Sequence, residues 1–297
     1  MRRLELNGQP LDLDLTLSCG QAFRWRRRDD GVWSGVVRDR LIELAVDGGS
    51  LWWRTYPEDD EALVRDYLRL HDDLRSIYRD LASRDPHLQE LTLRFHGLRL
   101  LRQDPTETLL SFVCSAANSI PRITAAIEAI CESFGDIVCE KDSGCYHAFP
   151  NPSRLARADR KTLEETHRLG FRGANLQMVA RQIVERGEDW LLSLRGVPYP
   201  QARERLLSIR CVGMKIADCV CLFALDKDEA VPVDTHVRQL AQRLWMPDLT
   251  TRSITDAVYR RIATAFAERY GGLAGWAQQF LYYEDLLRTR ALGRGIR

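Results

Sequence analysis

Hydrophobic and polar positions along the 297-residue chain fall into two regimes. Through about residue 56, apolar residues come in short β-branched and aromatic runs. "FRWRRRDDGVWSGVVRDRLIELAV" and "SLWWRTY" are broken by "DDG" and "DGG" turns, which predicts an antiparallel meander with two hairpins. From "EDDEALVRDYLRL" onward the period turns helical, and Leu63, Tyr67, Leu68 and Leu70 form a rough apolar stripe. Beyond about residue 105, helix start and stop signals dominate. "DPTETLLSFVCSAANSI" has an Asp cap followed by Pro, and "PRITAAIEAICESFG" opens on Pro121 and ends on Gly135. "VCEKDSGCYHAFPNPSRL" reads as a loop, "ADRKTLEETHRLG" as a helix closing on Gly170, and "ANLQMVARQIVERG" and "PYPQARERLLSIR" as further helices. The fold class expected is α+β. A small antiparallel β-rich N-terminal domain (1–100) precedes a larger all-helical domain (101–297) that carries a helix-hairpin-helix.

Composition narrows this only slightly. No run reaches the roughly 18 apolar residues of a membrane span, and "MRRLELNGQPLDLDL" lacks the apolar core of a secretory signal. A cytoplasmic protein is expected. The eight cysteines are too few to staple a chain of this size. Cys219 and Cys221 are separated by a single residue, and no second pair follows at zinc-ribbon distance. No four-cysteine group follows the last helices to hold an iron–sulfur cluster. No metal or other cofactor is therefore expected. Net charge is only +1, yet basic residues gather in "RWRRR", "RFHGLRLLR" and the tail "RTRALGRGIR". Net charge alone neither supports nor excludes a nucleic-acid partner.

The chemistry concentrates in "SIRCVGMKIADCVCLFALDKDEAVPVDTHV" (208–237), which reads as helix, tight turn and helix. Gly213 at the turn feeds a helix N-terminus, whose free backbone N–H groups suit one phosphate. Lys215 stands at that helix mouth before an apolar run. Both settings work against a positive charge, which favours a neutral amine able to form a Schiff base. Cys219 lies at i+4, on the same helix face. Asp234, nineteen residues after Lys215, fits an ordinary helix N-cap and equally a carboxylate facing a cationic transition state.

These residues resemble the helix-hairpin-helix DNA glycosylases and, within them, the 8-oxoguanine DNA glycosylase/AP lyases. The likeness extends to "GQAFRW" (20–25), "RQDPTETLLSFVCS" (102–115) and "WAQQFLYYEDL" (276–286), in the family's order across most of the chain. It implies a monomer that acts on duplex DNA containing oxidised guanine, flips the damaged base out and holds it in a pocket between the two units. Lys215 is implied as the nucleophile at the sugar C1′ and Asp234 as the group that stabilises the oxocarbenium charge. Gly20 would offer its carbonyl to the N7–H that marks 8-oxoguanine, a close approach that suits glycine. Gln278 would bond the Watson–Crick edge, and Cys219 and Tyr282 would sandwich the base. Tyr282 stands where the family's eukaryotic pattern has phenylalanine. Turn formation, solvent exposure and core packing are the ordinary roles of Gly20, Gln278 and Tyr282.

The resemblance further implies that His236 contacts a phosphate and that Asp285, on the same helix face as Tyr282, orients its imidazole. Phe171 and Arg172 in "RLGFRGAN" (168–175) correspond to the wedge and to a reader of the unpaired cytosine, with Arg122 as second donor and Asn118 in the gap. The chain departs from the pattern at Ala117, where asparagine is usual, in a shorter wedge loop, and in "RCVG" for the usual "PGVG". If Cys211 takes a left-handed conformation it costs about 1 kcal/mol or alters the turn; Arg210 would then be a candidate phosphate contact. The rival readings are an alkylpurine glycosylase of the same superfamily, which lacks a lysine nucleophile, and a non-enzymatic DNA-binding hairpin module.

Overall fold

The computed structural model describes residues 1–141, 144–166, 169–187, 189–250 and 253–294. Arg168, at the start of the wedge segment, and Gly295–Arg297, at the end of the basic tail, lie outside the described residues. The N-terminal region contains β1 (Arg2–Glu5), α1 (Leu13–Ser18), β2 (Trp25–Arg27), β3 (Trp33–Val37), β4 (Arg40–Asp47) and β5 (Ser50–Tyr56). These strands form one antiparallel sheet in the order β1-β5-β4-β3-β2. Leu44 faces Trp53 across β4 and β5, and both are buried with Ile42 and Leu51 against Leu13 and Leu17 of α1.

Two expectations for this region need correction. "LDLDLTLS" alternates like a strand but forms α1, because the Asp12 carboxylate caps it at Leu15 N (2.9 Å). The meander has a third hairpin, β3 to β4, turning at Arg38 with φ +55°. No glycine marks that turn.

The chain continues through α2 (Glu61–Tyr67), α3 (Leu74–Arg84), α4 (Pro86–Arg94), α5 (Pro105–Cys114) and α6 (Ile120–Phe134). Then come β6 (Ile137–Lys141) and β7 (Gly144–His147). The second region is thus not wholly helical: the segment read as a loop pairs into a two-stranded hairpin. The hairpin leans on the N-terminal sheet through a Lys141–Glu43 ion pair and a hydrogen bond from Arg24 to the His147 carbonyl. α7 (Pro152–Arg157), α8 (Phe171–Arg186), α9 (Trp190–Ser193), α10 (Tyr199–Leu207), α11 (Met214–Ala224), α12 (Thr235–Leu244), α13 (Asp256–Tyr270) and α14 (Ala274–Arg294) complete the order.

Apolar burial is divided between two cores. The larger surrounds α5 and α11, and it draws in Leu74, Tyr78, Leu81, Leu88 and Leu91 from α3 and α4. In α11 every residue from Ala217 to Ala224 is buried, so its N-terminal turn alone reaches the surface. Two arginine clasps tie the cores together. Arg69 forks onto Asp228 at 2.7 and 2.9 Å, and Arg102 binds both Asp66 and Asp226. Paired charges of this kind specify geometry more than they stabilise.

Candidate active site

A cavity of about 720 Å³ opens where the α1–β2 connection, the α5–α6 turn and the mouths of α11 and α12 meet α14. That size suits a small-molecule or single-base ligand. It is lined by Gly20, Asn118, Gly213, Lys215, Cys219, Asp234, His236, Gln278 and Tyr282. Nine residues singled out along the sequence therefore share one cavity.

Lys215 is in the first turn of α11, after Gly213, which supplies no side-chain cap. Its Nζ donates to Ser115 Oγ at 3.0 Å and sits 4.6 Å from the Phe112 ring centroid. The amine is therefore aimed by α5, against an aromatic face. Ser115 ends the α5 motif in the sequence, and only the fold brings it to Lys215. Cys219 is buried one turn on; burial pushes its thiol up to about 12 although Lys215 pulls the other way, so it remains a neutral, soft wall. Asp234 caps α12 through Val237 N (2.9 Å) and borders the same cavity.

Behind Asp234, a polar cluster that sequence spacing does not reveal fixes the backbone. Asp218, fully buried, accepts from Tyr199 (2.8 Å), Arg203 (2.7 Å) and Tyr259 (2.6 Å). The Tyr259 oxygen also accepts from Val233 N at 3.2 Å, one residue before Asp234. α11 and the approach to α12 are thereby held to the same pair of side chains.

Gly20, also in the lining, has φ +85°, and a Cβ there would lie 3.3 Å from both Ile120 Cδ1 and the Tyr282 hydroxyl. Any other residue is strained at that φ. Gln278 is only 4% exposed, and among the described residues its buried Oε1 has no hydrogen-bond partner. An orphaned acceptor of this kind in a cavity wall calls for a ligand donor. Tyr282 borders the cavity with its phenol pushed far up by burial, and its ring meets His236 edge-on at 5.7 Å. His236 Nδ1 lies 3.0 Å from Asp285 Oδ2, while Arg243 and Arg288 donate to Oδ1. Burial pushes the Asp285 carboxyl up, but these bonds outweigh it and hold it below the usual range. The carboxylate fixes the imidazole with Nδ1–H inward and leaves Nε2 for another partner.

Phe171, Arg172 and Arg122 are not among the residues that line the cavity. Phe171 is 60% exposed and is the first residue of α8, which starts three residues before the segment read as helical. Arg172 packs over the Phe171 ring at 4.6 Å and donates to the carbonyls of Ala116 (2.5 Å) and Ala117 (2.7 Å). Asn118 spans the same turn, donating to Cys114 O at 3.2 Å. Arg122 is exposed on the first turn of α6. Two of the departures noted in the sequence carry backbone cost, since Cys211 has φ +71° and Ala117 has φ +47°.

Residues 3–109 match the 8-oxoguanine DNA glycosylase N-terminal domain, and residues 110–261 match the HhH-GPD superfamily of base excision DNA repair proteins. The N-glycosylase/DNA lyase OGG1 of Arabidopsis thaliana is 34% identical, over 97% of this chain and 81% of its own length. The chain belongs to the 8-oxoguanine DNA glycosylase family. The Clostridium acetobutylicum 8-oxoguanine glycosylase/lyase, solved with double-stranded DNA containing cytosine opposite 8-oxoguanine, superposes with a TM-score of 0.83 at 32% identity. That match covers 94% of this chain and 93% of the solved one. A 3-methyladenine DNA glycosylase from Archaeoglobus fulgidus has a TM-score of 0.75 at 21% identity over 96% of this chain and 98% of its own, a likeness of fold. Among the described residues, no helix is long and apolar enough to cross a membrane.

Proposed function

We propose that this glycosylase-family protein excises 8-oxoguanine opposite cytosine from duplex DNA and then cleaves the strand as an AP lyase, in base excision repair. The observation that carries the reading is a single cavity lined both by a hydrogen-bonded amine and by a buried amide acceptor with no partner among the described residues. The α11 N-terminus at Gly213 offers backbone N–H groups to a phosphate, which needs no basic patch. The flipped base enters between the Cys219 thiol and the Tyr282 ring. Its N7–H donates to the Gly20 carbonyl, and its N1–H and exocyclic amine face Gln278 Oε1.

Lys215 Nζ, as the neutral amine, attacks C1′, and the C1′–N9 bond breaks with its electron pair leaving on the base, which takes up a proton. Asp234 offsets the positive charge that gathers on the sugar as that bond stretches. Ring opening gives the Lys215 Schiff base. Loss of a C2′ proton then expels the 3′ phosphate, and hydrolysis of the Schiff base frees the enzyme. His236 Nε2, set by Asp285, serves a phosphate near the flipped nucleotide. Phe171 fills the gap, while Arg122 and Arg172 donate to the estranged cytosine across the gap that Asn118 borders. Arg172 must first release the Ala116 and Ala117 carbonyls. A duplex substrate fits a cytoplasmic protein, associated with the nucleoid if the cell is bacterial.

The test is single-turnover excision from four duplexes that differ only in the base opposite 8-oxoguanine, with a fifth duplex carrying an alkylated purine beside them. Fastest release opposite cytosine is expected. Release of an alkylated purine with none of 8-oxoguanine would overturn the reading.

A further inference from the structure

Two consecutive glutamines on α14 do different work in the same cavity. Gln278 presents the unpartnered Oε1. Gln279, 1% exposed, donates from Nε2 to the Cys19 carbonyl at 3.2 Å. The Cys19–Gly20 peptide unit is therefore anchored to the helix that reads the other edge of the ligand. The following residue is anchored as well. Gln21 Nε2 donates to the Thr16 and Arg99 carbonyls, each at 2.8 Å, and the Gln21 carbonyl accepts from Gln103 Nε2 at 2.7 Å. Between these anchors Gly20 holds φ +85°, and among the described residues none donates to its carbonyl.

The neighbours of Gln279 make the amide conspicuous. Trp276, Ala277, Phe280 and Leu281 are fully buried apolar residues, so an amide in that row costs desolvation unless its bond is needed. Gln279 and Tyr282 are three residues apart, on one helix face, and both reach the Gly20 turn. We propose that Gln279 is a positioning residue for damage recognition. It ties the Gly20 turn to α14, so that the Gly20 carbonyl and Gln278 Oε1 keep the spacing of one oxidised purine. Gln279 itself does not touch the base. This inference rests on the function proposed above.

The split between two activities tests it, because excising 8-oxoguanine needs the Gly20 carbonyl whereas cleaving a preformed abasic site needs Lys215 but no base. In Gln279→Met, which keeps volume and loses the donor, excision of 8-oxoguanine falls at least roughly tenfold. Cleavage of the abasic duplex stays within about twofold, as expected for chemistry that does not use this bond. Gln279→Glu adds a pH readout. A protonated carboxyl can donate to Cys19 O as the amide does and an ionised one cannot, so its ratio of excision to abasic cleavage rises as pH falls, unlike the wild-type ratio.

Parallel loss of both activities in the Met variant, or a pH-independent ratio in the Glu variant, overturns the proposal while the function stands. Wild-type protein that cleaves abasic DNA but releases no 8-oxoguanine overturns the function, and this inference with it.

Discussion

Ser115 Oγ accepts from Lys215 Nζ at 3.0 Å, joining the C-terminal end of α5 to the first turn of α11 across one hundred residues of chain. The bond explains how an amine can stand at a helix N-terminus with a fixed direction. The macrodipole disfavours a cation there, while the hydroxyl and the Phe112 ring hold the side chain over the cavity. Ser115→Ala should therefore slow Schiff-base formation about tenfold, the worth of one aligned hydrogen bond. Single-turnover trapping on an abasic duplex measures this, with unchanged thermal unfolding as the control. An unaltered rate would remove Ser115 from the mechanism.

The hairpin turn carries a correctable strain. Cys211 has φ +71°, where an L-residue with a Cβ costs about 1 kcal/mol relative to glycine. Cys211→Gly should raise the unfolding midpoint by about 2 °C. The gain is reduced by loss of the Sγ contact to Asn175 Oδ1 at 3.4 Å. Differential scanning calorimetry checks it; a lower midpoint would mean that the side-chain contacts outweigh the backbone term.

Glu107 gives the fold a pH dependence. Burial pushes its carboxyl up to about 7, against the pull of Arg24, from an ordinary value of 4.5. Between those two values the folded protein holds a proton that the unfolded chain has released. Stability from this group is therefore full below pH 4.5 and is lost as pH rises through about 7. Glu107→Gln should flatten that part of the profile by on the order of 3 kcal/mol. Urea denaturation at either end of the window compares the slopes, and equal slopes in the two proteins would assign the effect elsewhere.

The legible parts of this molecule were those whose signal is local in the chain. "DDG" and "DGG" located two turns of the sheet, whereas the β3–β4 turn uses Arg38 at φ +55° and leaves no glycine mark. "LDLDLTLS" alternates as a strand does, and only the Asp12 cap and burial under the sheet make it a helix. The β6–β7 hairpin, with polar and half-buried strands, lacks the hydrophobic alternation that identifies a strand. The cavity residues were legible because their motifs specify type and spacing together. Ser115, Gln279 and the Asp218 cluster were not, because each owes its place to a partner far along the chain.

The most direct test of the account is borohydride trapping on a duplex carrying 8-oxoguanine opposite cytosine, with Lys215→Gln beside the wild type. The account predicts a covalent protein–DNA adduct in the wild type and none in the variant. An adduct that persists without Lys215, or none on that duplex with wild-type protein, would contradict it.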